Sequence, residues 1–270
     1  MGIFNKLFGN NEEGSVNNFE QGKTLILNGD LDEGIQLFRK AIKLFPNITD
    51  QIYNIAHAFH GGAESKNKAA NGNLYYTDGI AELEAAIAIL ELLSEFESDK
   101  ADIWFKLGVL YDNHCNFDEA VEAYERAANL DPEGPDGADA LHNLGILYFN
   151  KGRGILGMKS EGASGAHVYN MDNDDFVKAE KTALNALSIG KKVFSKDSSF
   201  RPNLLNIHVL LRELYSGAAF EDDANQHIVL KGKAALEHCL EIYKLDPNNA
   251  DAISWLKQAE KTTGKKFIVR

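Results

Sequence analysis

A run of bulky and small residues at fixed spacing between Ala101 and Gly134 constrains the fold of this chain more than any other feature. In order, the residues of this run are Trp104, Leu107, Gly108, Tyr111, Ala120, Tyr124 and Ala127. Side chains three, four and seven positions apart share one face of a helix, and Pro132 ends a helix because proline cannot continue one. The segment therefore predicts two helices packed as a hairpin, with Gly108 and Ala120 letting the two backbones approach closely.

These positions resemble the tetratricopeptide repeat family, whose hairpin carries the pattern W-x2-L-G-x2-Y, then A-x3-F, then P. Weaker copies in the same register start at Ser15, Thr49, Ala138 and near Pro202. The resemblance implies an all-α fold, a right-handed α-solenoid of about five antiparallel helix hairpins with inserted loops and a C-terminal capping helix. In the fourth hairpin we expect Ala186 to be the small residue of the second helix.

The repeat pattern divides the chain into three parts. Residues 1–14 are expected to form a flexible amphipathic N-terminus, residues 15–263 the tetratricopeptide-type repeat domain, and residues 264–270 a C-terminal tail. The domain is predicted to consist of hairpins followed by one capping helix, with the boundaries 15–48, 49–100, 101–134, 138–200, 201–248 and 250–263.

Three of the predicted hairpins are longer than the unit of the family. Their extra residues fall near 60–73, 151–173 and 217–225. Insertions within a repeat project from one face of a solenoid, and binding residues are often found on such loops. The alternative is that the helices themselves are longer by a turn or two.

The formal net charge of −12 limits the classes of partner. An acidic chain repels the nucleic-acid backbone and anionic membrane surfaces, so no nucleic-acid partner is predicted. The two cysteines, Cys115 and Cys239, have no motif spacing, and we expect reduced thiols without a disulfide in a cytoplasmic protein. Residues 3–8 carry apolar side chains on one helical face, which suggests a weak membrane or partner anchor or, as we favour, a frayed terminus or a hydrophobic flap on the first repeat.

The resemblance implies that the first helix of each hairpin lines a concave groove. Asparagine recurs at two groove-facing places of the repeat unit, the sixth and the thirteenth. An amide side chain both donates to and accepts from an extended peptide backbone, so a ladder of asparagines would hold a peptide without reading its sequence. The alternative is that asparagine is a polar residue of an exposed face without a binding role. The candidate groove residues are Asn54, His57, Phe105, Asn113, His142, Asn143, Asn150, Asn206 and Arg212.

Together these features predict a protein–protein interaction scaffold that binds a peptide or protein segment on its concave face and inserted loops. No catalytic set of residues and no cofactor motif was found, so the chain is not expected to be an enzyme. His57 and His60 offer two metal ligands, fewer than the three or four of a zinc site, so no metal is predicted. The alternative is a small-molecule-binding protein or enzyme whose site is built by the 151–173 insert over the groove, next to His142 or His57.

Overall fold

The computed structural model describes residues 2–70, 76, 78–154, 174–218 and 226–268. Within these ranges the chain forms eleven α-helices and two short 3-10 helices, and no strand occurs among them. The α-helices are α1 Gly2–Leu27, α2 Leu31–Leu44, α3 Thr49–Ala70, α4 Ile80–Phe96, α5 Ala101–Asn113, α6 Phe117–Leu130, α7 Pro135–Gly152, α8 Asp174–Lys196, α9 Arg201–Ala218, α10 Gln226–Leu245 and α11 Ala250–Thr263. The predicted all-α fold of successive helical hairpins with a capping helix is confirmed.

Several helices extend beyond their predicted limits. Helix α3 continues to Ala70, so most of the extra residues near 60–73 lengthen a helix instead of forming a loop. Helix α1 begins at Gly2 and includes residues 2–14, where the sequence analysis expected a flexible segment. Most of the other two insertions, at 155–173 and 219–225, lies outside the described residues.

The chain divides into two compact units, Met1–Ala120 and Val121–Arg270, each of which is described by itself. In the first unit, α1 and α2 cross where both carry a glycine, as the repeat register predicts. A Cβ atom added to Gly34 would lie 2.8 Å from the carbonyl oxygen of Gly22 and would overlap the side chain of Ile26. A Cβ atom on Gly22 would lie 2.9 Å from the carbonyl oxygen of Gly34. The two backbones are therefore in direct contact, which side chains at these positions would prevent.

The core of the first hairpin lies beside this glycine contact. The Phe38 ring is fully buried and stacks on Phe19, with 5.6 Å between the ring centroids. The buried hydroxyl of Ser15 donates to the carbonyl oxygen of Ala41 at 2.9 Å, which satisfies a polar group inside an apolar contact. Gly29, with φ of 95°, supplies the left-handed conformation that the short turn between α1 and α2 requires.

In the second unit, α7 and α8 form the longest hairpin and α9 packs on both. Gly145 of α7 faces Ala179 and Thr182 of α8, where an added Cβ would lie 3.5 Å from the Ala179 carbonyl oxygen and 3.2 Å from the Thr182 Oγ1. The expectation that Ala186 faces the first helix at this crossing is therefore wrong by one to two turns. Because α8 carries small residues at helical spacing along its whole length, the sequence alone does not fix which of them lies at the crossing.

The C-terminal end of the second unit is covered by α11 and by the residues that follow it. Two buried side chains of α10 and two of α11 form a small cluster, which consists of Cys239, Ile242, Ala252 and Leu256. Phe267 and Ile268 pack against this cluster, and their backbone amides donate to Glu260 Oε1 at 2.6 and 2.8 Å. The residues after the capping helix thus fold back against the core.

Among the described residues, none of the helices combines the length and the apolar composition that crossing a membrane requires.

Candidate functional site

Helices α3 and α5 of the first unit carry four of the predicted groove residues and approach each other where His57 and His60 lie near Lys106. We call the surface of these two helices the first-unit face. Asn54 and His57 are exposed on α3, and Phe105 and Asn113 are half-buried on α5. Within the described part of the chain, the Asn54 side chain forms no hydrogen bond. Its amide therefore offers both a donor and an acceptor to a ligand.

A lysine sets the electrostatics of this face. Burial, and after it the ammonium group of Lys106, lowers the pKa of His57 and of His60, while Asp102 acts against this shift at His57. Both imidazoles are therefore neutral at pH 7. Lys106 is half-buried and has no ion pair among the residues that the structure describes. The face thus presents one positive charge in a chain that is acidic overall.

Tyr76, from the connection between α3 and α4, also belongs to the first-unit face. Its backbone amide donates to the carbonyl oxygen of Asn113 at 3.0 Å. Its ring stacks on His60, with 6.4 Å between the centroids and 21° between the planes. Tyr76 therefore contacts both α3 and α5 and adds an aromatic ring to this surface.

Sequence reasoning missed both Lys106 and Tyr76. Lys106 occupies the sixth place of the unit that starts at Ala101, the place where Asn54 stands in the preceding unit, and this register could have revealed it. No such signal exists for Tyr76, because it lies in an insertion that the repeat pattern does not cover.

Helices α7 and α9 place further predicted residues on the second-unit face, which comprises His142, Asn143 and Asn206. The His142 ring hydrogen-bonds to the backbone of Asn206, and burial lowers its pKa to about 4. Nearby, the Asn203 amide donates to both carboxylate oxygens of Asp139 at 2.7 and 2.9 Å, which ties α9 to α7. Asn206 is exposed and Asn143 is half-buried, so both amides reach solvent.

The remaining two predicted groove residues lie beneath the surface. Asn150 is 8% exposed and Arg212 is 7% exposed. The Arg212 guanidinium donates to the carboxylate of its neighbour Glu213. Because a ligand on the surface would not reach these buried side chains, we leave both out of the proposed site.

A cluster of ionisable side chains lies inside the second unit. His208 is 2% exposed, and its Nδ1 lies 2.9 Å from the Nδ1 of His238. The His238 ring stacks on Tyr215, whose hydroxyl donates to Glu180 Oε1 at 2.9 Å. Burial and the neighbouring His238 lower the pKa of His208 to about 4. One imidazole donates and the other accepts, and the lowered pKa of both rings favours the pair in which neither carries a charge.

The alternative site built by the 151–173 insert falls on residues 155–173, which lie outside the described residues. The side chains of residues 3–8 lie outside them as well, so the anchoring role of that segment stays a prediction. Where side chains are described, no group of three or more histidine, cysteine, aspartate or glutamate residues is arranged to hold a metal ion.

Comparison with known proteins supports the repeat assignment. Models of the tetratricopeptide repeat match residues 17–48 and 101–133, which correspond to the first and third predicted hairpins. A solved structure described as the crystal structure of MamA protein is 18% identical, with a TM-score of 0.46 over 87% of this chain and 96% of that chain. No curated protein matches the sequence. The chain therefore contains two segments that match the tetratricopeptide repeat, within an all-α fold of helical hairpins.

Proposed function

We propose that this chain is a non-enzymatic scaffold whose first-unit face binds an extended peptide segment of another protein. Tetratricopeptide repeats generally mediate protein–protein interaction. The observation that carries the proposal is the exposed Asn54 amide, which forms no hydrogen bond within the described residues and lies three residues before His57, whose pKa the ammonium group of Lys106 lowers. Polar groups that have no partner within the fold gain hydrogen bonds when a peptide backbone lies across them.

The composition of this face favours a peptide over a small molecule. The amide of Asn54 pairs with a peptide backbone in either direction, and the rings of Phe105 and Tyr76 offer apolar area for one or two side chains. The face combines the amide of Asn54 with the ammonium group of Lys106 and the nearby carboxylate of Asp102, so it would orient a segment without demanding one sequence. His142, Asn143 and Asn206 offer a similar set of groups on the second-unit face.

The test replaces Asn54 and Asn143 together with alanine. We expect proteins that wild type captures from the native cell to be lost, while the melting temperature stays nearly unchanged, because substitutions of surface side chains usually shift stability by less than about 0.5 kcal/mol. Asn129→Ala is the matched control, since Asn129 is exposed on a second helix, α6. Loss of the same proteins in the control, or a large fall in melting temperature in the double variant, would remove the proposal.

We further propose a cytoplasmic location, in which both cysteines remain reduced. The Cys239 thiol is buried in the second unit and donates to the carbonyl oxygen of Ala252 at 3.6 Å. Cys115 is exposed. Disulfides are rare in the cytosol, so labelling with a thiol reagent before and after reduction of protein from native cells tests this proposal. Thiols that become reactive only after reduction would contradict it.

A further inference from the structure

The second helices of the first two hairpins leave a cleft between them in the first unit. Its volume is about 730 Å³, within the range of about 300–1,000 Å³ that is typical of ligand-binding clefts. Its walls are formed by α2 and α4, with Leu25 of α1 at one side. The first-unit face is formed by other helices, α3 and α5, so the cleft is a separate surface.

The shape of the cleft suits a helix. Its α4 wall consists of Ala88, Glu91, Leu92 and Glu95, a stripe of residues three, four and seven positions apart on one helical face. Its α2 wall runs from Leu31 to Lys40, a rise of about 14 Å along the helix axis. Two helical walls of this length match a partner helix of two to three turns, which presents its own residues at the same spacing.

The charges of the cleft are mostly negative and are partly held in place. The Arg39 guanidinium donates to both carboxylate oxygens of Glu95 and neutralises that acid. The Tyr111 hydroxyl of α5 donates to Glu91 Oε1 at 2.7 Å, which fixes a second carboxylate on the α4 wall. Asp32 and Glu33 stand exposed in the first turn of α2.

The floor of the cleft is apolar. Leu25, Ile35 and Leu37 are half-buried and Leu92 is buried, and all four line the cavity. A partner that covered them would remove apolar surface from water, which favours binding. The lining holds four carboxylates and two basic side chains, Arg39 and Lys40, so it has a net negative charge. An apolar floor in such a cleft favours apolar side chains flanked by positive charges.

We propose that this cleft binds a short amphipathic helix of another protein, with leucine-like residues on one face and lysine or arginine beside them. The proposal goes beyond the peptide-binding role of the first-unit face, because it assigns a second surface and a partner of different chemistry. The shape of the cleft would accommodate the partner helix. The excess of carboxylates over basic side chains in its lining would attract the basic residues of that helix.

The probe is a fluorescein-labelled synthetic helix of leucine and lysine about four turns long, compared with the same peptide in which glutamate replaces lysine. Fluorescence anisotropy with the full chain measures the affinity of each at physiological ionic strength. We expect the lysine peptide to bind and the glutamate peptide to bind at least tenfold more weakly. Equal binding of the two peptides would overturn the proposal.

Two variants locate the binding. Gln36→Trp fills the cleft from an exposed position on α2, and we expect it to weaken binding of the lysine peptide at least tenfold with an unchanged circular dichroism spectrum. Asp32→Asn with Glu33→Gln should weaken it about fivefold, the size expected for two exposed charge contacts. If Gln36→Trp prevents folding, the double variant Asp32→Asn with Glu33→Gln alone tests whether the peptide binds in the cleft.

The matched control is Asp118→Asn with Glu119→Gln. These exposed acids occupy the first turn of α6, as Asp32 and Glu33 do in α2, so both double variants change the net charge equally. We expect the control to change the affinity less than twofold. If the control lost as much affinity for the lysine peptide as Asp32→Asn with Glu33→Gln does, the attraction would be diffuse and the proposed binding at the cleft would be refuted. A concentration-dependent dimer of the chain that Gln36→Trp abolishes would also refute it.

Discussion

Replacing Gly34 with alanine tests whether backbone contact fixes the first hairpin. A Cβ atom there would lie 2.8 Å from the Gly22 carbonyl oxygen and would overlap Ile26, which is 5% exposed. Overpacking of a tight core costs about 1–3 kcal/mol. The upper end of this range applies to Gly34→Ala, because one neighbour of the added Cβ atom is backbone and the other is a buried side chain with little room to move. Alanine regains about 1 kcal/mol of helix propensity, so the net loss of stability is about 2 kcal/mol.

Gly61 provides the matched control for this substitution. It lies inside α3 with no atom within 4 Å of an added Cβ. Gly61→Ala should therefore stabilise the first unit by up to about 1 kcal/mol, because only the helix propensity changes. The same substitution in two helices of one unit is thus expected to have opposite signs, with a difference of about 3 kcal/mol.

The assay is urea unfolding followed by tryptophan fluorescence. Trp104 lies in the first unit and Trp255 in the second, so a Trp255→Phe background reports on the first unit alone. We expect Gly34→Ala to lower the midpoint of unfolding and Gly61→Ala to raise it. If Gly34→Ala were as stable as the parent, or if Gly61→Ala were equally damaging, the close contact of the two backbones would not govern this hairpin.

Two further predictions concern the second unit. The pKa of His208 is lowered to about 4 and that of His238 is also lowered. As the pH falls, these histidines therefore bind protons in the unfolded chain before they do so in the folded unit, and the stability of the second unit decreases as the pH drops below 6.5. For His208 alone the loss at pH 5 is about 2 kcal/mol, and equal urea midpoints at pH 7 and pH 5 by Trp255 fluorescence would contradict it. Glu260→Ala should speed hydrogen exchange of the two tail amides bound to that carboxylate, while Glu237→Ala, an exposed control, should not.

The sequence predicts the hairpins well because the close contact of two helix backbones requires small residues at fixed positions. Only small residues allow the approach seen at Gly22 and Gly34, and the repeat register pointed to both. The same reasoning failed in α8, where Ala179, Ala183 and Ala186 all have the right size and helical spacing. Choosing among them needs the lengths of both helices and the packing of α9, which a local pattern does not contain.

The candidate site was less predictable than the fold. Register placed Asn54 on a first helix and could have placed Lys106 there, but register does not report how deeply a side chain is buried. Asn150 and Arg212 occupy groove-facing places of their units and are nevertheless buried. Their exposure depends on neighbouring elements that the repeat pattern does not describe. The contribution of Tyr76 was likewise invisible, because it depends on the path of a connection rather than on a periodic position.

The position of Tyr76 has a consequence for how proteins of this design diversify. The Tyr76 amide binds Asn113 and the Tyr76 ring stacks on His60, so the position of this ring depends on a residue outside the helices. Adding or deleting residues in the connection between α3 and α4 would reshape the recognition chemistry without altering any helix. Selection acting on such a connection can change the ligand preference while the hydrophobic core, and with it the ability to fold, is left intact.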